Sequence, residues 1–262
     1  MLTLDGGRFA ALRDLDATLS RLRSLDGEEW QRPTPCAGWD LLDLTKHLGE
    51  TTQRLANRFT ELVAERSDSG DAPAIDELPE EHPDDPHAAA LSHATVGRNH
   101  FAAATARLTL DDADATAGTP PPGRPPWTGT RLITTAALEF GLHRYDVETA
   151  LSEASGLTEE AIQAADALLG EELVRLATAS GQRPDAPLRF ELRGNRIDHT
   201  LTWTGEQWTS EPAADIPATR ISGDDGSLML FVCGRIPATH DALTVDGDRD
   251  AAARFKTYVP GP

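Results

Sequence analysis

The sequence predicts an α plus α/β protein: an N-terminal four-helix bundle followed by a smaller C-terminal α/β domain. Three observations carry this. Up to about residue 151, apolar residues recur every three or four positions in four long stretches, separated by segments too rich in proline, glycine or acid to be helical. After Gly181-Gln182-Arg183-Pro184 the apolar period falls to two, the repeat of a strand with one buried face. A length of 262 residues suffices for two compact domains, each with its own core.

The first helix is read over 9–25, where Phe9, Leu12, Leu15, Leu19, Leu22 and Leu25 share a face and the other face is charged. The loop Trp30-Gln31-Arg32-Pro33-Thr34-Pro35-Cys36-Ala37-Gly38 comes next. Asp40 then caps a second helix, with Asp43 in its first turn to suit the helix dipole. Its stripe of Leu41, Leu44, Leu48, Leu55, Phe59 and Leu62 reaches about residue 65, with His47 beside it. From Asp68 to Asp85 the chain is acidic, contains no Lys or Arg and is broken by prolines, as expected of a solvated loop; His82 and His87 flank it and are read as exposed.

A third helix is read over 87–109. Its His93 and His100 are one heptad apart, either facing a common interior site or hydrogen-bonded within the core. The proline-rich stretch Gly118 to Trp127 cannot be helical. Thr128 or Thr130 caps the fourth helix, which runs through Leu132, Ile133, Ala136, Phe140 and Val147 to about Leu151. A fifth, from Thr158 to about Ala179, either closes the bundle or joins it to the second domain. We draw it with the first domain, 1–180, leaving 185–262 as the α/β domain. There, 188–193, 199–203 and 207–209 read as antiparallel strands, 218–223 and 243–245 as further strands, Asp224 to Val232 as a short helix and Asp248 to Tyr258 as a final one.

A formal charge of −19 argues against nucleic acid or an anionic membrane as partner, because both require clustered Lys and Arg. No apolar run approaches a membrane span and no secretory signal opens the chain, so the expected location is cytoplasmic. Cys36 and Cys233, distant in sequence, do not make a disulfide framework and are read as packed thiols.

The chemistry-bearing residues lie on the second and fourth helices. Glu139 and His143, at i and i+4, share a helix face, and His47 on another helix can complete a three-donor metal set. The competing reading of Glu-x-x-x-His is an exposed ion pair, which an acidic chain with 8 His produces by chance. Asp146, three residues past His143, and Glu50, three past His47, are the carboxylates placed to orient those imidazoles. Trp39 and Trp127 are read as packing anchors.

Together, Trp30-x-x-Pro33-Thr34-Pro35-Cys36-x-Gly38-Trp39 with Asp43-Leu44 and His47-Leu48, Glu139-x-x-x-His143-Arg144-Tyr145-Asp146-Val147, and Cys233-Gly234-Arg235 before Val245-Asp246-Gly247-Asp248 resemble the mycothiol-dependent maleylpyruvate isomerase family. Tyr145 stands where that pattern more often has Trp. The resemblance spans both domains and implies a DinB-like bundle holding one zinc through His47, Glu139 and His143, with mycothiol as co-substrate. It also implies a catalytic contribution from Arg235, whose guanidinium can grip a carboxylate in two parallel hydrogen bonds; the alternative for Arg235 is an interdomain ion pair.

The function expected is therefore that of a zinc enzyme activating an external low-molecular-weight thiol against a small electrophile. The thiol either adds, permits rotation and leaves, which is cis-trans isomerisation, or stays attached, which is S-conjugation. Two other classes fit the same donors: a non-catalytic metal-binding regulator, and a hydrolase using water at the open metal position.

Overall fold

The computed structural model describes residues 2–66, 79–80, 82, 84–120, 125–153, 156–179 and 182–260. Most of the acidic loop and the centre of the proline-rich loop lie outside them. Two compact units divide the chain, Met1–Ser155 and Gly156–Pro262.

The first unit is built on α1 (Leu4–Leu22), α2 (Leu41–Arg66), α3 (Pro86–Thr105) and α4 (Gly129–Ala150). Thr3 caps α1 by accepting from the Gly6 amide, so this helix begins before Phe9 and ends before Leu25. Phe9 itself is 68% exposed and leaves the buried stripe to Ala11, Leu15, Leu19 and Leu22, because the packed face of the helix is set by those positions. Asp40 Oδ1 accepts from the Asp43 amide at 2.9 Å at the start of α2. Thr128, not Thr130, caps α4 through the Arg131 amide, while the Thr130 hydroxyl bonds the Ala113 carbonyl. The third helix stops at Thr105, four residues short of expectation.

The α2–α3 and α1–α4 pairs make the largest contacts of the bundle. Phe59, Phe101 and Phe140, one each from α2, α3 and α4, stack edge to face at 5.7 and 5.4 Å and are all fully buried. Each such ring contributes roughly 1.5–3 kcal/mol by leaving water. A side chain at Gly97 would press within 3.2 Å of the Gly49 carbonyl, so the pair of glycines sets how closely α2 and α3 approach.

The second unit opens with α5 (Glu159–Ala179), which packs on β2, β3 and α6. The fifth helix thus belongs to the sheet, and the boundary falls before it rather than after residue 180. Local periodicity marks α5 as amphipathic but carries no information about which partner covers its apolar face. Arg196 bonds Glu159, and His199 Nε2 meets Asp166 Oδ1 at 2.7 Å, fastening α5 to the first hairpin.

The sheet comprises β1 (Leu188–Arg193), β2 (Asp198–Trp203), β3 (Trp208–Thr209), β4 (Ala218–Gly223) and β5 (Leu243–Asp246), in the order β3-β2-β1-β4-β5. The β1–β2, β2–β3 and β4–β5 pairs are antiparallel, whereas β1–β4 is parallel, with Phe190 opposite both Leu201 and Thr219. Phe190 and Phe231, the latter from α6 (Asp225–Val232), meet Phe255 at 5.1 and 5.0 Å in the core of this unit. The expected last helix is two short pieces, α7 (Arg249–Ala253) and α8 (Phe255–Tyr258). They break at Arg254, whose amide splits between the Asp250 and Ala251 carbonyls and whose turn seats Phe255 inward.

Candidate metal centre

On α2, Leu44 and Leu48 are fully buried and leave His47 at the edge of the stripe, its side chain 27% exposed. On α4, Ala136, Phe140 and Val147 are buried in the core, while Glu139 and His143 form a neighbouring column one turn apart. The packing of these helices brings the three side chains together. His47 Nε2 is 2.9 Å from Glu139 Oε1, His143 Nε2 is 3.4 Å from the same oxygen, and the two imidazole rings lie edge to face at 5.0 Å. One donor atom from each residue falls within 4.8 Å of the other two.

The electrostatics of this cluster suit a cation. Burial alone would raise the Glu139 pKa, but hydrogen bonds and positive charge from His143 and His47 hold it far below the usual carboxylate range, so the group is ionised. Burial alone would lower the His143 pKa, yet Asp146, Cys36 and Glu139 raise it well above its ordinary value. An ionised carboxylate flanked by two imidazole Nε2 atoms is a fitting donor set for zinc, with fewer protein ligands than a sealed tetrahedral site has.

Asp146, wholly buried, places Oδ2 at 3.0 Å from His143 Nδ1. A carboxylate only accepts, so Nδ1 is protonated, and Nε2, turned toward Glu139, is the nitrogen that would give up its proton to hold a metal. The Cys36 thiol donates to the same Oδ2 at 3.2 Å, so Cys36, His143 and Asp146 form a second donor group that shares His143 through its other nitrogen.

Cys36 reaches this position from the loop before α2. The Thr34 amide donates to the Trp39 carbonyl at 2.9 Å, the Trp39 amide to the Cys36 carbonyl at 3.0 Å, and Pro33 and Asp40 form a bridge. Gly38, at φ +83°, makes the reversal that this loop needs. Trp39 then lies against both imidazoles, its ring 4.8 Å from that of His47 and 6.4 Å from that of His143.

Other expectations resolve differently. Glu50 is exposed; the α2 side chain that meets His47 is instead Thr51, whose hydroxyl is 3.2 Å from Nε2 one helical turn on. His100 bonds Gln53 through Nδ1 at 2.8 Å, and neither it nor His93 belongs to a converging donor group among the described residues. His87 is not a free surface group but stacks on Trp30 at 4.9 Å. Arg144 turns to a buried ion network, bonding Glu148 at 2.7 Å and Asp14 at 3.1 Å.

Arg235 lies in the second unit, just past the end of α6. Gly234 takes φ +76° there, and the Arg235 amide closes the helix by donating to the Leu230 carbonyl. Its guanidinium donates to the Cys233 carbonyl at 2.8 Å, and Lys256 Nζ donates to the Val232 carbonyl at 2.8 Å. Burial pushes the Lys256 pKa down to about 8; the Cys233 side chain opposes the fall and Arg235 adds to it. Trp39, Thr51 and Cys36 are the contacts that sequence reasoning missed. The spacing of His47 and Thr51 contained one of them, and the Cys36 to Trp39 motif the other two.

The model of the mycothiol maleylpyruvate isomerase N-terminal domain matches residues 11–148. That of the corresponding C-terminal domain matches residues 163–254. Two solved structures share the fold over 94% of this chain and 93% of theirs, at 14% identity: a mycothiol-dependent maleylpyruvate isomerase, with a TM-score of 0.57, and a histidine-to-alanine mutant of that enzyme, with 0.56. No curated protein matches the sequence. With both family domains matched in order along the chain, the protein belongs to the mycothiol maleylpyruvate isomerase family.

Proposed function

We propose that this protein is a zinc-dependent enzyme that uses an external low-molecular-weight thiol, mycothiol, to isomerise a small electrophilic alkene of the maleylpyruvate type. The observation that carries the reading is the convergence of His47 Nε2, His143 Nε2 and an ionised Glu139 in one cluster. His47, Glu139 and His143 would hold the zinc. A zinc held there would supply positive charge that lowers the pKa of a thiol. The thiol sulfur then adds to the double bond, the former π bond rotates as a single bond, and the carbon–sulfur bond breaks to return the thiol unchanged.

The chain's own residues prepare this. Asp146 fixes the tautomer and aim of His143. Trp39 packs its ring against both imidazoles. Neither Cys36 nor Cys233 is needed as nucleophile, since the attacking sulfur comes from the co-substrate. The cytoplasm, where such thiols stay reduced, is the compartment in which this reaction belongs.

Elemental analysis of the purified protein should find about one zinc per chain, the stoichiometry of a single three-ligand site. Isomerisation of maleylpyruvate should then require added thiol. Thiol-independent turnover to a product that has gained water would favour the hydrolase reading, and a chain that stays metal-free after incubation with zinc would remove the mechanism altogether.

We assign Arg235 to a carboxylate of the substrate. Losing a charge-assisted hydrogen bond costs about 1.5–3 kcal/mol, so Arg235→Ala should lower kcat/KM about 10–100-fold at unchanged zinc content. Arg235→Lys, which keeps the charge but not the planar fork, should recover part of the loss. Kinetics unaltered in both variants would remove Arg235 from the mechanism.

A further inference from the structure

We infer that Cys36 is a positioning residue for the metal centre, acting through Asp146 on His143. The inference rests on the metal-binding reading proposed above and adds a residue to it. A single buried oxygen, Asp146 Oδ2, receives both the Cys36 thiol at 3.2 Å and His143 Nδ1 at 3.0 Å. The carboxylate is wholly buried, and a buried anion keeps one orientation only while its donors hold it there. The thiol therefore helps to choose which oxygen faces His143 and from what direction. Through that bond it helps to aim Nε2 at the point it shares with His47 and Glu139.

The same contact locks the loop. Cys36 is held from behind by its own backbone, whose amide donates to Thr34 Oγ1 at 3.2 Å and whose carbonyl accepts from the Trp39 amide. Thr34 Oγ1 also donates to the Trp39 carbonyl at 3.0 Å. A bond from Cys36 to α4 thus anchors the segment that sets Trp39 against both imidazoles. The ring of Trp39 and the aim of His143 both depend on one loop position. A thiol serving only to fill space would depend on its volume; a positioning thiol depends on its ability to donate.

That difference is the test. Cys36→Val fills similar volume without a donor, Cys36→Ser keeps a donor in less volume, and Cys36→Ala removes both and serves as the second variant should valine disturb the loop. Zinc affinity is measured by competition with a chromophoric chelator, and ligand geometry by the visible absorption of the cobalt(II)-loaded protein. Thermal unfolding of the metal-free chains confirms that each is folded.

Partners of metal-bound histidines typically matter about 10–100-fold in affinity. Cys36→Val and Cys36→Ala should weaken zinc binding about 10-fold and shift the cobalt spectrum, with Cys36→Ser close to the parent in both. Equal affinity and spectrum in all four proteins would overturn the inference while leaving the metal site standing. Serine failing together with valine would overturn it too, by showing that shape and not donation matters. A parent protein that binds neither zinc nor cobalt would overturn the metal-binding reading itself, and this inference with it.

Discussion

Glu139→Gln and His143→Ala are expected to lose zinc and to reduce thiol-dependent turnover about 10³-fold or more, because the metal supplies several kcal/mol of charge stabilisation and each 1.36 kcal/mol is a factor of ten. Glu139 is the stronger test. Its Oε1 is the atom that both His47 Nε2 and His143 Nε2 approach, so glutamine retains the shape of the cluster while removing its negative charge. The metal-free variants should remain folded, since the apolar core of the bundle does not pass through these side chains. Elemental analysis and turnover should fall together. Loss of zinc without loss of activity would separate the metal from the reaction and end the proposed mechanism.

The second large effect is on stability. Glu148 is almost wholly buried and accepts from Arg144 Nε at 2.7 Å, with Arg21 Nη2 at 3.0 Å. Asp14, fully buried on α1, takes Arg144 from the other side and Arg13 at 3.0 Å. This network ties α1 to α4 one turn beyond His143. Glu148→Ala removes one of two carboxylates from each arginine, leaving Arg144 with Asp14 and Arg21 with Glu153, and breaking a buried pair costs about 3–5 kcal/mol. Because the side chains of Arg144 and Arg21 are 27% and 30% exposed, water offsets part of this and the lower end is expected, about 3 kcal/mol. Urea denaturation of the zinc-free protein reads it as a fall in midpoint at constant slope. A loss under about 1 kcal/mol would mean that the arginines find full compensation in solvent and that the network is not what joins the helices.

How far the chain can be read in advance depends on the range over which each signal acts. The stripe Leu41, Leu44, Leu48, Leu55 marks α2 because burying one face of a helix requires that spacing wherever the helix packs. The alternation in Leu188-Arg189-Phe190-Glu191-Leu192 marks β1 in the same way. The i, i+4 relation of Glu139 and His143 is also local, so one side of the candidate site is visible as a helix face. His47 enters through its motif, not through geometry. Phe9 shows the limit even of local reading: it satisfies the spacing and is still 68% exposed, because a periodic pattern does not say where the packed face begins.

What the sequence determined by itself was the succession of elements and the residue types available for chemistry: helices by period, the cap of α2 at Asp40, strands by alternation, and a surplus of acid that turns the surface away from polyanions. Only the tertiary structure decided that β1 runs parallel to β4, that α5 serves the sheet, that Arg144 turns to Asp14 and Glu148, and that Cys36, Trp39 and Thr51 surround the imidazoles. Periodicity and capping are free energies of neighbouring residues and can be read from a short window. Pairing between segments a hundred residues apart is selected by the fit of whole faces, and the atoms that meet there, such as the Cys36 thiol and the Asp146 carboxylate, are joined by that packing alone.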